Sequence, residues 1–307
     1  MGEFPPTTVI LPTTEWTTAC AEVAEQLGRA DELLLVCDDD SDSIADRVDD
    51  LPSGVRLVFA GDPEGCSGKA NAIAAGMRAA DRDRIVWTDD DFHHPPDWLA
   101  RLRAGYEENG PVTEVPFFVG RDPLSTLLEP IYALGGTLGV YAGGIVWGGA
   151  VMFDRADLDE AAFLRDLRRS VSDDGTLTEH LDVTPLRRTR LVPVGGTVRE
   201  SAERHVRFTQ IVRRHDPAGF AFMSIVAALS AAGALLFPLP AMALLTLLQL
   251  GIYGAFGIRR WTFLLAYPAT LAQVPLTVYA VARRTFVWGG RRYRWRGKFD
   301  VEVVESG

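Results

Sequence analysis

Lysine and cysteine are both scarce in this chain. Lys69 and Lys298 are the only lysines among 31 basic residues, so nearly every cationic position is an arginine. The three cysteines, Cys20, Cys37 and Cys66, are odd in number and lack the paired spacing of zinc ligands. The sequence therefore predicts neither a disulfide framework nor a zinc site, and its thiols suit a reducing compartment.

Two recognisable segments are also missing. The N-terminal residues lack a basic region followed by a long apolar run, so we expect no signal peptide and no leading membrane anchor. The segment Gly65-Cys-Ser-Gly-Lys69-Ala-Asn71 places glycines before a lysine but lacks the GxxxxGK[ST] spacing of a P-loop. A P-loop nucleotide site is therefore excluded.

The net charge of -10 is unevenly distributed along the chain. Residues 1–203 carry 37 Asp and Glu against 18 Lys and Arg, whereas residues 204–307 carry 13 Lys and Arg against 4 Asp and Glu. Because phosphate backbones bind clustered cations, nucleic acid is not an expected partner of the acidic part. The basic part suits an anionic membrane surface, where each nearby basic residue contributes about 1 kcal/mol.

Short apolar runs alternate with helical patterns over the first 100 residues. We expect strands at 8–11, 32–37, 55–60 and 84–88, and helices at 15–27, 70–80 and 97–106. The expected strands are almost continuously apolar, which predicts an α/β fold with a mostly parallel, Rossmann-like sheet and helices on both faces. Ligands of such sheets bind beyond the carboxyl ends of the strands.

Residues 130–153 form an uncharged stretch of 24 residues, long enough to cross a bilayer. Seven of these residues are glycines, which weaken a helix. We therefore expect a loop followed by a strand that ends at 147–153, with a membrane span as the alternative.

The 42 residues from Pro217 to Ile258 are all uncharged. They predict membrane segments at about 217–237 and 239–258, and a third is expected at about 261–282. A buried helical hairpin of a soluble protein is the alternative. The expected organisation is a catalytic domain over 1–215, membrane segments over 216–285 and a basic tail over 286–307.

Basic residues flank the third apolar segment at both ends, at Arg259-Arg260 and between Arg283 and Lys298. Three full crossings would place these two ends on opposite sides, which the positive-inside tendency opposes. The third segment is therefore re-entrant or interfacial, or else the chain breaks this tendency.

Acidic residues follow two of the expected strands. Asp89 and Asp91 come after strand 84–88, and carboxylates two residues apart in an extended segment project to the same side. They can share one Mg²⁺ or Mn²⁺ together with substrate phosphates. Asp38 and Asp39 follow strand 32–37 in the same way. A solvated acidic loop is the alternative for both groups.

Further polar residues lie at the starts of helices or before the apolar tail. Lys69, near the start of helix 70–80, can contact a phosphate or a base, or can be an exposed lysine in a turn. One carboxylate of Asp173-Asp174 can take a proton from an acceptor hydroxyl, or can favour the N-terminus of a helix at 175–181. Arg213, three residues after Gln210, can bind a diphosphate or can anchor a membrane segment.

Taken in order, these residues resemble the family 2 glycosyltransferases of the GT-A fold, in particular the ceramide glucosyltransferase-like branch. The motifs that carry the resemblance are Leu34-Leu-Val-Cys-Asp38, Gly68-Lys69-Ala-Asn71, Trp87-Thr-Asp89-Asp-Asp91, Trp147-Gly-Gly-Ala-Val-Met-Phe-Asp-Arg155, Ser172-Asp-Asp174 and Gln210-Ile-Val-Arg213-Arg214. The tail Val287-Trp-Gly-Gly-Arg291-Arg-Tyr-Arg-Trp-Arg296 is also similar to the ending of these enzymes.

The resemblance implies a metal-dependent hexosyltransferase that transfers a sugar with inversion from a nucleotide-sugar, a UDP-hexose, to a lipid. It implies Asp174 as the base, Asp89 and Asp91 as ligands of Mg²⁺ or Mn²⁺, and a donor site made of Asp38, Asp39, Lys69, Asn71, Asp89, Gln210, Arg213 and Arg214. It also implies a multi-pass protein of the cell membrane with its catalytic domain on the cytoplasmic side.

Two departures from the family pattern stand out. Arg214 occupies a position where the family usually has Trp, which removes an aromatic ring for stacking on acceptor or donor. The N-terminal membrane helix of ceramide glucosyltransferases has no counterpart, so anchoring is expected to depend on the C-terminal segments.

Two other functions are compatible with the same residues. A polyprenyl- or dolichyl-phosphate glycosyltransferase would use an acceptor that is already anionic and needs no strong base. An inactive membrane protein that binds nucleotide or cation would keep the acidic residues without turnover. A transporter is not expected, because the apolar segments lack the ionisable residues that mark substrate paths.

Overall fold

The structure is a computed structural model that describes residues 4–306, with side chains described up to residue 304. Contacts within the chain divide it into two compact units. The first unit holds the residues up to Glu114 together with Gly144–Leu186 and Phe299–Val303. The second unit holds Val115–Gly143, Arg187–Lys298 and the residues from Val304 onward.

Strands and helices alternate in the first part of the chain, and long helices dominate the later part. The strands are β1 (Thr7–Pro12), β2 (Glu32–Cys37), β3 (Val55–Phe59), β4 (Arg84–Thr88), β5 (Val112–Gly120), β6 (Ala150–Asp154), β7 (Thr184–Val194), β8 (Thr285–Trp288), β9 (Arg291–Gly297) and β10 (Asp300–Ser306). The α-helices are α1 (Thr18–Ala24), α2 (Gly68–Ala79), α3 (Trp98–Asn109), α4 (Pro123–Tyr132), α5 (Gly139–Gly143), α6 (Glu160–Leu167), α7 (Asp173–Thr178), α8 (Val198–His215), α9 (Pro217–Leu236), α10 (Pro238–Ala255) and α11 (Ala266–Ala282). Short 3₁₀ segments lie at Ala45–Asp50, Arg155–Asp157 and Trp261–Leu265, and a π-helical turn lies at Ala133–Leu138.

Seven strands form one sheet in the order β3-β2-β1-β4-β6-β5-β7. β1 pairs in parallel with β2 and β4, and β2 pairs in parallel with β3. β6 runs antiparallel to β4 and β5. This mostly parallel sheet with its helices confirms the predicted α/β, GT-A-like fold class. β8, β9 and β10 form a second, three-stranded sheet.

The central strands are buried on both faces, which explains their continuous apolar runs. Every residue of β2 and β4 is buried, and both strands have the bounds that the sequence predicts. Helix α2 packs unusually close to the sheet at Gly76, where a Cβ atom would lie 2.5 Å from Cγ2 of Ile10 and 3.3 Å from Cγ2 of Val36. A larger residue at this position would push α2 away from the sheet.

Residues 130–143 are helical, so the loop predicted after residue 130 is wrong there. Helix α4 ends at Tyr132, the π-helical turn follows, and α5 reaches Gly143. The π turn holds Gly135 and Gly136, so helix continues through glycines that were expected to break it. The strand expected before residue 153 is present as β6, although it begins at Ala150.

Helix α4 begins at a capping box that the sequence analysis did not use. Oδ1 of Asp122 accepts hydrogen bonds from the backbone N–H groups of Leu124 and Ser125, at 2.9 and 3.2 Å. The side chain of Ser125 in turn accepts a bond from the backbone N–H of Asp122 at 3.1 Å. This cap satisfies backbone N–H groups at the start of the helix, which lack partners within it.

Three helical segments of the second unit are long and apolar enough to cross a membrane: Pro217–Leu236, Pro238–Ala255 and Trp261–Ala282. Their bounds lie within three residues of the predicted segments. Pro217 and Pro238 stand at the first positions of α9 and α10, where a missing backbone N–H costs nothing. Large apolar side chains such as Leu229 and Leu236 are exposed on these helices.

Candidate active site

Two acidic segments of the first unit lie beyond the carboxyl ends of parallel strands. Asp38 follows β2 and Asp89 follows β4, and both strands pair in parallel with β1. Their carboxyl ends therefore lie at one edge of the sheet, as the sequence predicts.

Lys69 lies at the centre of an acidic group formed by Asp89, Asp173 and Asp174. Its Nζ is 2.7 Å from Oδ1 of Asp89 and 3.1 Å from Oδ2 of Asp173. The two carboxylates are 84 positions apart in sequence, and the two contacts place them on one ammonium. All three side chains are mostly buried, with at most 22% of any one exposed.

The start of α2 is fixed to the segment that leads into α7. Ser67 caps α2, because its Oγ accepts the backbone N–H of Ala70 at 3.1 Å. The same residue donates from its backbone N–H to the carbonyl of Ser170 at 3.0 Å and from Oγ to the carbonyl of Val171 at 2.8 Å. These bonds fix the position of Lys69, on α2, relative to Asp173, on α7.

Asp174 is positioned by the segment that precedes β6. The backbone N–H of Gly148 donates to Oδ1 of Asp174 at 2.8 Å. A Cβ atom at Gly148 would lie 2.4 Å from that oxygen and 2.8 Å from Oδ2 of Asp173, so only glycine allows this approach. A second hydrogen bond joins the segment before β6 to α7: the backbone N–H of Val146 donates to Oγ1 of Thr178 at 3.0 Å.

The charges of this group shift two pKa values. Burial acts to lower the pKa of Lys69, but the carboxylates of Asp173, Asp89 and Asp174 outweigh it and raise that pKa well above its usual value. Burial raises the pKa of Asp174 to about 8, and the negative charge of Asp173 acts in the same direction. The pKa of Asp174 therefore lies well above that of an exposed aspartate.

Asp90, next to Asp89, has a contact that the sequence did not suggest. Oγ1 of Thr13, after β1, donates to Oδ2 of Asp90 at 2.6 Å. Burial raises the pKa of Asp90 above its usual value. The middle acid of the Asp89-Asp90-Asp91 triplet thus fastens the segment after β4 to the one after β1.

The predicted donor residues Asp38 and Asp39 form an ordered loop after β2. The backbone N–H of Asp38 donates to Oδ2 of Asp42 at 2.8 Å, and Oδ1 of Asp39 accepts the backbone N–H of Ser41 at 2.7 Å. At least one carboxylate oxygen of Asp39 is therefore hydrogen-bonded within its own loop.

Asn71, on α2, has a structural contact. Its Nδ2 donates to the carbonyls of Gly61 at 2.7 Å and Ala60 at 3.2 Å, just beyond β3. It thereby holds α2 beside the end of the outer strand.

Gln210 and Arg214 lie in the second unit, on α8. Nε2 of Gln210 donates to the carbonyls of Ala280 and Arg283, at 2.7 and 3.1 Å. Arg214 donates to Oε1 of Gln210 and to the carbonyl of Trp295, over whose ring its guanidinium lies at 4.7 Å. Trp295 thus supplies the aromatic partner of Arg214, while Arg213 is exposed.

The residues 4–304, for which side chains are described, contain no group of three or more His, Cys, Asp or Glu arranged to hold a metal ion. Asp89 holds the ammonium of Lys69, and Asp91 is exposed beside it. These residues fit a cation that takes one or two carboxylates from the protein and its remaining ligands from phosphate and water, as Mg²⁺ does. They do not fit a closed, all-protein metal site.

Two parts of the candidate site were missed by the sequence analysis. Gly148 was recognised only as part of a strand, and Thr13 was not considered. The pair Gly148-Gly149 between Trp147 and an apolar strand was the available signal, because glycine before a buried strand marks a close backbone approach.

Part of the chain is similar to a known protein family. Residues 17–147 match the model of "Glycosyl transferase family 2". No curated protein matches the chain significantly. Among solved structures, a mycobacterial protein is 18% identical with a TM-score of 0.43, over 68% of this chain and 74% of that one.

Two further solved structures are similar to the chain. Glucosyl-3-phosphoglycerate synthase from Mycobacterium tuberculosis, in complex with phosphoglyceric acid, is 18% identical with a TM-score of 0.42, over 68% of this chain and 77% of that one. S. aureus TarS 1–349 is 13% identical with a TM-score of 0.42, over 98% of this chain and 99% of that one. The family match, on a mostly parallel sheet with the acidic group at its edge, supports a glycosyl transferase family 2 domain that includes residues 17–147.

Proposed function

We propose that the chain is a membrane-anchored inverting glycosyltransferase that moves a hexose from a nucleotide-sugar, a UDP-hexose, to a lipid acceptor. One observation carries the proposal: Asp89 and Asp173 share the ammonium of Lys69, and Asp174 lies in the same group. A buried group of three acids around one lysine is a costly arrangement for stability alone, and perturbed titratable groups gather at functional sites.

Asp174 is the proposed general base. Its pKa of about 8 lets it exchange a proton near neutral pH, and the N–H of Gly148 orients its carboxylate. In the proposed reaction Asp174 removes the proton of the acceptor hydroxyl. The oxygen then attacks the anomeric carbon in line with the departing nucleoside diphosphate, which inverts the configuration.

Lys69 and Asp89 are proposed to act on the diphosphate. Asp89 and Asp91 would hold Mg²⁺ or Mn²⁺, whose charge neutralises the leaving group. Lys69 reaches Asp89 at 2.7 Å, so a diphosphate bound next to Asp89 would lie within reach of the same ammonium. Lys69 would then exchange a carboxylate partner for a phosphate partner.

The remaining donor contacts are assigned by their positions. Asp38 and Asp39, after β2, and Asn71, on α2, would bind the nucleoside part of the donor. Gln210, Arg213 and Arg214 on α8 are proposed to contribute polar and cationic contacts to the bound donor. The assignments of Asp38, Asp39 and Asn71 follow the motif order and lie within the family match over 17–147. Those on α8 follow the motif order alone.

Membrane anchoring and a lipid acceptor are supported by the apolar helices. Three segments have the length and composition of membrane spans, and arginines follow them in β9. We propose a location in the cell membrane, with residues 1–215 as a catalytic domain on the cytoplasmic side and 286–307 as a basic tail.

The proposed function is tested by product analysis. Membranes that contain the chain are incubated with labelled UDP-glucose, UDP-galactose or GDP-mannose, and the lipid fraction is then separated. We expect a labelled glycolipid whose formation requires Mg²⁺ or Mn²⁺. Calorimetric binding of a nucleotide-sugar with no transfer to any lipid would instead favour a nucleotide-binding membrane protein.

The acceptor class is tested in the same assay. A free lipid alcohol and a lipid phosphate are offered separately with the preferred donor. The proposal predicts product from the alcohol, because Asp174 can remove its proton. Product from the phosphate alone would identify a polyprenyl-phosphate glycosyltransferase.

A further inference from the structure

We propose that the third apolar segment, Trp261–Ala282, does not pass from one side of the bilayer to the other but enters it and returns, so that both of its ends lie on the same side as α8. The inference rests on the membrane anchoring within the proposed function. It gives the apolar surface of this segment one partner, a bilayer with anionic headgroups on the side of α8. All the contacts that support it lie within the second unit.

The beginning of the segment is fixed to α4. Nη2 and Nε of Arg260 lie 2.7 and 2.9 Å from the two carboxylate oxygens of Glu129, and Oγ1 of Thr262 donates to the same carboxylate. Glu129 is fully buried and also accepts the backbone N–H of Gly120 at 2.8 Å. A buried carboxylate with four hydrogen-bond donors is held strongly, because its exposure to hydrocarbon without them would be very costly.

The end of the segment is fixed to α8. Nε2 of Gln210 donates to the carbonyls of Ala280 and Arg283, at 2.7 and 3.1 Å. Arg283 in turn lies 2.9 Å from the carboxylate of Glu203, which also accepts the backbone N–H of Val287. The last turn of α11 is therefore bonded to a helix that carries charged residues along its whole length and cannot lie in hydrocarbon.

The two anchoring helices are themselves joined. Oγ of Ser201 on α8 donates to Oδ2 of Asp122, the residue that caps α4, at 2.5 Å. Glu129 is seven residues beyond Asp122, which is about 10 Å of helix, and Glu203 is only two residues beyond Ser201. Both contact points thus lie within about 10 Å of helix from the bond that joins α4 to α8, which is well below the roughly 30 Å of a hydrocarbon core.

The middle of the segment lies beside the far end of α9. The hydroxyl of Tyr267, in the first turn of α11, donates to the carbonyl of Ala234 at 3.2 Å. Ala234 is 17 residues along α9 from Pro217, or about 26 Å of helix. The 3₁₀ segment therefore leads away from Glu129 toward the end of α9, and α11 leads back to Gln210.

The first two apolar helices form a hairpin that starts and ends at the same level. α9 begins two residues after α8, and Gln249, six residues before the end of α10, donates to the carbonyl of Pro130 on α4 at 2.9 Å. Nε of Arg187 on β7 also donates to the carbonyl of Ala255, at 2.8 Å. The hairpin therefore accounts for two crossings of the bilayer. A third crossing would place the two ends of the third segment on opposite sides, although both ends are bonded to the joined helices α4 and α8.

Charge and aromatic residues at the two ends agree with this arrangement. Arg259-Arg260 precedes the segment and Arg283-Arg284 follows it, and the positive-inside tendency places both pairs on one side. Trp261 and Tyr279, one near each end, are 60% and 41% exposed, as suits rings at the headgroup level. Anionic lipid on that side would attract both pairs of arginines.

Single added cysteines test the topology without reference to activity. Val198→Cys marks α8, Leu239→Cys the hairpin turn, Arg259→Cys the start of the third segment and Arg284→Cys its end; all four positions are exposed. The native cysteines are buried, so the unmodified chain gives the background. A membrane-impermeant maleimide is added to right-side-out and inside-out vesicles that contain the full chain.

We expect positions 198, 259 and 284 to react in the same vesicle orientation and position 239 to react in the opposite one. Reaction of position 284 opposite to position 259 would mean a third crossing and would overturn the inference. If the chain were instead released from the vesicles by alkaline carbonate, the proposed membrane anchoring itself would fail. The two failures are thus distinguishable, and neither depends on glycosyl transfer.

Discussion

The backbone N–H of Gly148 lies 2.8 Å from Oδ1 of Asp174, and this bond sets the direction of the proposed base. A methyl group at position 148 would lie 2.4 Å from the same oxygen. Gly148→Ala should therefore displace the carboxylate and lower kcat at least tenfold, with KM for the nucleotide-sugar nearly unchanged. Steady-state kinetics in membranes measure both constants.

Gly233→Ala is the matched control for that substitution, because no atom lies within 4 Å of a Cβ placed at Gly233. It should leave kcat unchanged. A Gly148→Ala enzyme with normal kcat would show that the bond to Asp174 has no part in the reaction.

The only two lysines of the chain provide a second matched pair. Lys69→Gln leaves Asp89 and Asp173 without their shared cation, so we expect loss of turnover and destabilisation of about 3 kcal/mol. Added Mg²⁺ should recover part of that stability by replacing the missing charge. Denaturant unfolding in detergent, with and without Mg²⁺, measures the effect.

Lys298→Gln removes the other lysine, which lies after β9 and outside the acidic group. It should change the free energy of unfolding by no more than about 0.5 kcal/mol and should leave turnover unchanged. Equal effects of the two substitutions would argue that Lys69 is an ordinary surface cation.

The raised pKa of Asp174 predicts a pH-dependent stability. The folded chain binds a proton at Asp174 up to about pH 8, whereas the unfolded chain releases it near 3.8. The folded state therefore holds more protons between these values, and stability falls as pH rises from about 4 to 8. The Asp174→Asn side chain cannot titrate. The Tm of this variant minus the Tm of the wild type should therefore be more positive at pH 8.5 than at pH 5.

Thermal unfolding of the ligand-free protein at the two pH values tests this prediction. Asp42→Asn is a suitable comparison, since it removes a carboxylate from the exposed loop after β2. A constant Tm difference between Asp174→Asn and the wild type at both pH values would contradict the assigned pKa.

The ion pair of Glu129 and Arg260 should contribute strongly to the second unit. Glu129→Ala leaves Arg260 and Thr262 without their buried acceptor, so we expect a loss of about 3 kcal/mol. Asp97→Ala removes a half-exposed partner of Arg101 and should cost less than about 1 kcal/mol. Similar losses in urea unfolding would contradict a buried pair at Glu129.

Much of the first unit could be predicted because its strands have a simple physical signature. β2 and β4 are buried on both faces, so their sequences are continuous apolar runs with unambiguous ends. The acids that follow them were placed correctly at one edge of the sheet for the same reason. The convergence of Asp173 with Asp89 could only be expected from the resemblance, since no local pattern links residues so far apart.

The helix over residues 130–143 could not be predicted from local propensity. Its glycines are poor helix formers, but packing in the second unit and the bond from Gln249 to the carbonyl of Pro130 stabilise the helix. The role of Lys69 was also only partly foreseen. The sequence indicated a contact with a phosphate or a base, whereas in the structure two carboxylates contact its ammonium.

The central claim is that Asp174 removes a proton from a lipid hydroxyl at a site shared with Lys69 and Asp89. Single-turnover transfer of labelled sugar into the lipid fraction tests it most directly, with wild-type and Asp174→Asn protein at saturating donor. We predict that the substitution reduces the transfer rate by at least a hundredfold while donor binding persists. A rate within twofold of the wild type would contradict the account.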